Sequence, residues 1–121
     1  MPIKKKNYII DIDGVVSEDI PNEEPERMID AKEIEGARDW LNSLYDEGHN
    51  ICFFTSRLPE HAEITERWLK SRGFKFHSII YGKPRGGEYF YVDNLKIQAS
   101  RFKGKFSPIV KKSIEVEVFE D

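Results

Sequence analysis

The chain has 121 residues, with 19 Lys and Arg against 22 Asp and Glu, so its formal net charge is −3. That length suits a single domain, residues 1–121, and 39% apolar with 34% charged residues is typical of a globular protein with a solvated surface. No apolar run approaches the roughly 20 residues of a membrane-spanning helix, no export signal is evident and there is one cysteine, so we expect a cytoplasmic protein.

The first part of the chain predicts a strand, a loop and a helix. Residues 8–12 are a short apolar strand that ends in acidic residues and glycine. Residues 17–30 are polar, acidic and marked by two prolines, which predicts an exposed loop or flap. Apolar residues recur at helical spacing over residues 37–45, and Trp40 lies on that stripe, which indicates a core position.

The middle of the chain continues the alternation of strands and helices. Residues 51–54 are apolar on both faces, as in a buried parallel strand. A second helix begins at Pro59 and has Trp68 on its apolar stripe. Residues 78–81 and 89–92 predict a third and a fourth strand.

The end of the chain predicts a short helix over residues 95–102 and an edge strand over residues 113–119, where apolar and acidic residues alternate. Strands that alternate with helices favour an α/β fold with a mostly parallel central sheet and helices on both faces. In such sheets, ligands bind beyond the carboxyl ends of the strands. The residues at those ends are therefore the candidates for function.

Polar side chains follow each of the four predicted strands. In chain order they are Asp11 and Asp13, then Thr55, Ser56 and Arg57, then Lys83 and Arg85, then Asp93 and Asn94. Asp is common in turns, so one acid at a strand end means little. Three acids and a lysine that converge on one edge of the sheet are much harder to explain by turn chemistry.

This set of side chains suits phosphoryl transfer. Three carboxylates that lie close together repel one another unless a cation neutralises them, and oxygen ligands at a hydrated site suit Mg²⁺. An ionised Asp can attack phosphorus, and a second Asp two residues on can protonate the leaving oxygen and then activate water. A lysine and a hydroxyl can offset the charge of the phosphoryl oxygens.

The same residues resemble the four motifs of the haloacid dehalogenase (HAD) superfamily, in the same chain order. The motifs are Asp11-Ile12-Asp13-Gly14-Val15-Val16, the apolar run that ends at Thr55, then Lys83 and then Asp93. The resemblance covers about residues 7–100. It implies a three-layer Rossmann-like core and a phosphatase.

Roles follow from the resemblance position by position. It implies that Asp11 is the nucleophile and Asp13 the general acid/base, with Asp11, the backbone carbonyl of Asp13 and Asp93 as ligands of Mg²⁺. It also implies that Thr55 is the phosphate-binding hydroxyl and that Lys83 orders nucleophile and phosphate. Carbon–halogen hydrolases of the superfamily lack the second aspartate, so Asp13 favours a phosphatase.

Other residues near the phosphate end are candidate substrate contacts. Ser56 competes with Thr55 for the hydroxyl role, and Arg57 and Arg85 lie in the two loops that follow the second and third strands. Asn94 departs from the family pattern, because many members have a second aspartate at that position. An amide there adds no charge and is expected to weaken Mg²⁺ binding.

The spacing of the motifs leaves no room for the cap domain that usually sets specificity in the superfamily, so the chain resembles a capless (C0-type) member. We expect a small-molecule phosphate ester as substrate. The Gly-Val-Val of the first motif resembles that of the small tetrameric phosphatases of bacterial sugar-acid biosynthesis, which implies a phosphosugar. The acidic segment over residues 18–26 disfavours a nucleic-acid backbone. The edge strand could pair between subunits, which predicts a homo-oligomer.

Two alternatives remain open. A receiver-like phosphoacceptor domain also combines an acidic pair, a hydroxyl and a lysine, but that family phosphorylates an Asp after a middle strand, where this chain has Phe54-Thr55. A catalytically idle HAD-like binding protein is the second alternative, and only Asn94 favours it.

Overall fold

The computed structural model describes residues 4–104 and 106, together with the backbone of residues 114–115. The central sheet has three parallel strands, β1 (Asn7–Ile10), β2 (Asn50–Phe54) and β3 (Ser78–Ile80), in the order β1-β2-β3. Two helices connect them, α1 (Ala37–Asp46) and α2 (Ala62–Ser71), the second preceded by a 3₁₀ turn, Pro59–His61. The predicted α/β fold with a parallel sheet is confirmed, and no cap domain is inserted between β1 and β3.

One face of the sheet forms the core together with the helices. The register pairs Ile10 with Phe53 and Phe53 with Ile79, so these three side chains share a face. Ile10 and Phe53 belong to one buried hydrophobic cluster, and the partly buried Ile79 packs against it. The helices contribute Ala37, Leu41, Leu44, Trp68 and Leu69 to the same cluster. Trp68 is 1% exposed, as its place on the apolar stripe predicts, whereas Trp40 is only partly buried.

The opposite face of the sheet is more open. Ile9 and Ile80 lie there and are 56% and 51% exposed. Because the strand order is β1-β2-β3, both crossovers run in the same direction, and right-handed connections place α1 and α2 on one face. The predicted second helical layer is not formed by residues 4–104, 106 and 114–115. No helix in this described part of the chain is both long and apolar enough to cross a bilayer.

The segment over residues 17–30 differs from the predicted exposed flap. It contains a 3₁₀ helix, Pro25–Asp30, that packs against α2. Ile20 and Met28 are 2% and 0% exposed and belong to the core, and Ser17 is fully buried. The prediction of an exposed loop was wrong because Ile20 and Met28, two apolar side chains spaced among acids and prolines, are buried in the core.

Residues 89–92 are not the predicted fourth strand. They have no regular structure, and their four side chains are between 57% and 78% exposed. Gly86 and Gly87 both have positive φ, and the Tyr89 hydroxyl donates to the carbonyl of Pro84 in the same loop. Residues of high β-propensity do not form a strand by themselves, because a strand also needs a neighbouring strand with which to pair.

Residues 95–102 do not form the predicted helix. Leu95, Ile97 and Ala99 alternate with polar residues, which is the period of a strand. Strand β4 (Gln98–Ala99) accordingly pairs antiparallel with β5 (Ile114–Glu115), in a two-stranded sheet separate from the central one. The edge strand predicted over residues 113–119 is seen at residues 114–115, and its other residues lie outside the described part.

Candidate active site

The loop after β1 holds the first two candidate carboxylates in place. The carbonyl of Ile12 accepts hydrogen bonds from the backbone N–H groups of residues 15, 16 and 17, at 3.1, 2.9 and 3.2 Å. Gly14, at φ +84°, turns the chain in a conformation that side chains disfavour. Ile12 and Val16 are fully buried and anchor the loop. Asp11 and Asp13 therefore project from a fixed turn.

The ends of β2 and β3 are tied to each other by backbone hydrogen bonds. Thr55 N–H donates to the carbonyl of Ile80 and Lys83 N–H donates to the carbonyl of Thr55, both at 2.9 Å. Gly82 N–H donates to the carbonyl of Arg57, also at 2.9 Å. These bonds bring the second and third predicted motifs together at the carboxyl edge of the sheet.

Lys83 and Asp11 form an ion pair at this edge. Lys83 Nζ lies 3.7 Å from Asp11 Oδ2, and the ammonium also lies over the Tyr89 ring, 4.4 Å from its centroid. Burial raises the pKa of Asp11 and the neighbouring Asp13 and Asp19 carboxylates raise it further, while Lys83 and the Ile12 N–H act to lower it. Asp11, the nucleophile predicted from the sequence, thus has one cation, Lys83, and two other acids, Asp13 and Asp19, as electrostatic neighbours.

Asp13 is paired with Arg57. The guanidinium donates from Nε to Asp13 Oδ2 and from Nη2 to Asp13 Oδ1, each at 2.9 Å. Arg57 is 1% exposed, although arginine side chains are usually solvated. The arginine predicted as a substrate contact is instead bound to the predicted acid/base.

A cavity of about 210 Å³ opens at the carboxyl edge. Four residues predicted from the sequence line it, and they are Asp11, Asp13, Ser56 and Arg85. Asp19, Asn22 and Tyr89 also line it, and the sequence did not single them out. The Asn22 amide donates to the carbonyl of Ser56 at 3.0 Å, which fastens the 17–30 segment to the loop after β2. No pattern distinguishes these residues from their polar or aromatic neighbours in the sequence.

The two candidate hydroxyls have different environments. Thr55 is fully buried, and its Oγ1 accepts a hydrogen bond from the backbone N–H of Arg57 at 3.1 Å. Ser56 lines the cavity, whereas Thr55 does not. In this conformation Ser56 is therefore the more accessible of the two to a phosphate.

Asp93 and Asn94 are not part of the cavity lining. Asp93 is exposed, accepts hydrogen bonds from Leu95 N–H at 2.9 Å and from the Tyr91 hydroxyl at 2.7 Å, and has a lowered pKa because of these donors. The structure does not bring it together with Asp11 and Asp13 as the motif order predicts. The loop over residues 89–92, which has no strand to pair with, separates Asp93 from the sheet edge.

The carboxylates that line the cavity can supply only part of the coordination shell of Mg²⁺. Asp11, Asp13 and Asp19 all line the cavity, yet nowhere among residues 4–104 and 106 do three His, Cys, Asp or Glu side chains lie close enough together to hold a metal ion. Mg²⁺ commonly binds through one or two carboxylates, with water and substrate phosphate as its other ligands. Burial is the main cause of the raised pKa of Asp11, and Asp13 and Asp19 add repulsion that a bound cation would relieve.

Comparisons with known proteins give one partial sequence relative and one structure of similar fold. No family model matches the chain. Over 59 residues it is 32% identical to a putative nucleotidase of Bacillus cereus, a match that covers 47% of this chain and 31% of that protein. The chain therefore spans about a third of the length of this curated relative. A crystal structure of a structural-genomics target from Vibrio cholerae is similar in fold, with a TM-score of 0.57 and 22% identity over 73% of this chain and 79% of that one.

Proposed function

We propose that this protein is a Mg²⁺-dependent phosphatase of the HAD type, which hydrolyses a phosphate monoester through an aspartyl-phosphate on Asp11. The observation that carries the proposal is the Asp11–Lys83 pair, 3.7 Å apart, in a cavity that Asp13 also lines. A carboxylate nucleophile, a cation for the phosphoryl charge and a second carboxylate are the groups that this reaction needs. The similarity to a putative nucleotidase supports the same reaction class.

The first step transfers the phosphoryl group to the protein. A carboxylate oxygen of Asp11 attacks phosphorus while the bond from phosphorus to the leaving oxygen breaks. Asp13, which enters this step in its protonated form, gives its proton to that oxygen, so the alcohol leaves neutral and Asp13 becomes the carboxylate that pairs with Arg57. The Lys83 ammonium stabilises the negative charge on the other phosphoryl oxygens.

The second step hydrolyses the intermediate. The Asp13 carboxylate takes a proton from a water molecule, which attacks phosphorus, and the bond between phosphorus and the Asp11 oxygen breaks. Asp11 returns to a carboxylate, Asp13 regains its proton and inorganic phosphate leaves. The two carboxylates thereby complete the cycle without a net change.

Mg²⁺ would be held by Asp11 and the backbone carbonyl of Asp13, with Asp93 as the further ligand that the motif order suggests. When bound, it would neutralise charge between the phosphate and the carboxylates. Asp93 reaches this position only if the loop over residues 89–93 moves toward the sheet edge.

Two substrate classes are proposed. The resemblance of the first motif to that of the small tetrameric phosphatases of bacterial sugar-acid biosynthesis supports a phosphosugar. A nucleoside monophosphate is the second, supported by the similarity to a putative nucleotidase and by Tyr89, whose ring lines the cavity and is 57% exposed. Relative kcat/KM across sugar phosphates and nucleotides separates them, and Tyr89→Leu should lower kcat/KM for a nucleotide more than for a sugar phosphate.

Removal of divalent cations should abolish phosphate release, and Mg²⁺ added in excess should restore it. The physical reason is that the phosphate dianion and the carboxylates at the cavity repel one another without a cation. Phosphate release is measured after chelation with EDTA, after removal of the chelator, and after addition of Mg²⁺. Full activity in the exhaustively chelated protein would show that the reaction needs no metal.

A further inference from the structure

The guanidinium of Arg57 is bound at all three of its nitrogens. Two of them donate to the two oxygens of Asp13, and Nη1 donates to Thr65 Oγ1 at 3.0 Å. Thr65 lies in α2 and is fully buried. Arg57 is itself absent from the lining of the cavity. A phosphate in the cavity would therefore have to break these bonds to reach the guanidinium.

The Asp13 carboxylate is held by more than the arginine. Its Oδ1 also accepts a hydrogen bond from the backbone N–H of Ile20 at 3.3 Å. A carboxylate has about four lone-pair sites, two on each oxygen. The described donors use both sites on Oδ1, through Arg57 and Ile20, and one site on Oδ2. The remaining site on Oδ2 is the one that no described donor fills.

We infer that Arg57 is a positioning residue for Asp13, that Thr65 holds its guanidinium in place, and that Asp13 Oδ2 is the oxygen that exchanges the proton with substrate and water. The inference rests on the proposed function, since it assumes that Asp13 transfers a proton. It assigns Arg57 to the acid/base and not to the phosphate.

The physical basis is the shape of the guanidinium. Two parallel N–H groups bind both carboxylate oxygens at once and so fix the rotation of the Asp13 side chain. General acid catalysis depends on that rotation, because the proton must lie within hydrogen-bond reach of the leaving oxygen. A lysine at position 57 would keep the positive charge, but its ammonium cannot bind both oxygens of Asp13 in the same planar geometry and would leave the carboxylate free to rotate.

Arg57→Lys should therefore damage proton transfer selectively. We expect kcat/KM for an alkyl phosphate, whose alkoxide is a poor leaving group, to fall by about 10²-fold. The value for para-nitrophenyl phosphate should fall only a few-fold, because that phenolate leaves without a proton. kcat/KM reports the steps up to formation of the phosphoenzyme, so it isolates the role of Asp13 as an acid. The ratio of the two values is the readout.

Two further variants complete the test. Asp13→Asn should change the ratio in the same direction, and adding Arg57→Lys to Asp13→Asn should cause little further loss, since both act on the same proton. Arg67→Lys is the matched control. Arg67 lies on α2 in an exposed pair with Glu63, and its substitution should leave the ratio unchanged.

Several results would overturn the inference. Equal losses on both substrates with a raised KM, or losses that add in the double variant, would place Arg57 on the phosphate. If Arg57→Lys does not fold, Thr65→Val provides the test, with a smaller change of the ratio in the same direction expected and no change counting against the inference. A wild-type protein that releases no phosphate would overturn the proposed function as well, whereas an active wild type with an unmoved ratio overturns the inference alone.

Discussion

Asp11→Asn should lose phosphate release by more than about 10³-fold, because the amide cannot serve as the nucleophile. Asn has nearly the same shape as Asp, so the turn after β1 and the contact from Ile12 N–H can persist around it. Phosphate release from para-nitrophenyl phosphate with Mg²⁺ measures the loss. Asp46→Asn is the control, since Asp46 is an exposed partner of Lys75 on α1 and should have no effect.

Other outcomes of the same experiment distinguish the alternatives. Activity that survives in Asp11→Asn would show that Asp11 is not the nucleophile. A wild-type protein that retains a stable phosphoenzyme without turnover would be a receiver-like phosphoacceptor. A wild-type protein that acts on no phosphate ester would favour an idle HAD-like binding protein.

The same substitution should stabilise the metal-free protein at neutral pH. The pKa of Asp11 is raised in the folded state, chiefly by burial, so the folded protein binds its proton more tightly than the unfolded chain does. Below the ordinary carboxyl pKa, Asp11 is protonated in both the folded protein and the unfolded chain, so it does not lower the free energy of unfolding. As the pH rises through the raised pKa, the desolvated carboxylate ionises and the free energy of unfolding falls. Asn stays neutral and escapes this loss.

Denaturant unfolding in the presence of EDTA measures this effect. The free energy of unfolding of Asp11→Asn should exceed that of the wild type near neutral pH, and the difference should vanish in acid. A variant less stable than the wild type at neutral pH would contradict the expected sign. The Asp11 carboxylate would then not lower the free energy of unfolding.

Trp68→Ala should lower the free energy of unfolding by about 3–5 kcal/mol. The indole is 1% exposed, stacks on Phe74 with ring centroids 5.5 Å apart, and donates from Nε1 to the carbonyl of Ala31 at 2.9 Å. Its removal opens a cavity between α2 and the segment that follows the 3₁₀ helix Pro25–Asp30. The midpoint and slope of urea unfolding measure the change.

Phenylalanine substitutions separate the hydrogen bond from the packing. Trp68→Phe keeps an aromatic ring but leaves the Ala31 carbonyl without its donor, which should cost about 1–3 kcal/mol. Trp40→Phe is the matched control, because the buried Nε1 of Trp40 has no hydrogen-bond partner in the described structure. Equal losses in the two variants would show that the bond to Ala31 contributes nothing to stability.

Much of the central fold could be predicted from the sequence because its signals are local. Apolar runs and helical spacing predicted β1, β2, β3 and the two helices to within a few residues. The parallel order then placed Asp11, Asp13 and Lys83 at one edge of the sheet, where the structure has them. The rule that strand ends converge needs no knowledge of side-chain contacts.

The errors arose where a pattern depends on distant partners. Residues 89–92 have the composition of a strand, but the structure gives them no strand with which to pair. Ile20 and Met28 lie in a segment that looks exposed, and only packing in the folded core buries them. Period-two alternation over residues 95–99 was a signal present in the sequence that the helix prediction overlooked.

The sequence alone determined that Asp11, Asp13 and Lys83 lie at the carboxyl edge of a small α/β domain, because these residues directly follow strands that the local pattern predicts. Only the tertiary structure decided how those groups are used. Arg57 binds the carboxylate of Asp13, 44 residues away, and the hydroxyl of Thr65 on α2. Its burial and its two hydrogen bonds to Asp13 therefore exist only once the loops after β1 and β2 have packed together with α2. No local pattern encodes such a contact, since each partner alone is an ordinary polar residue.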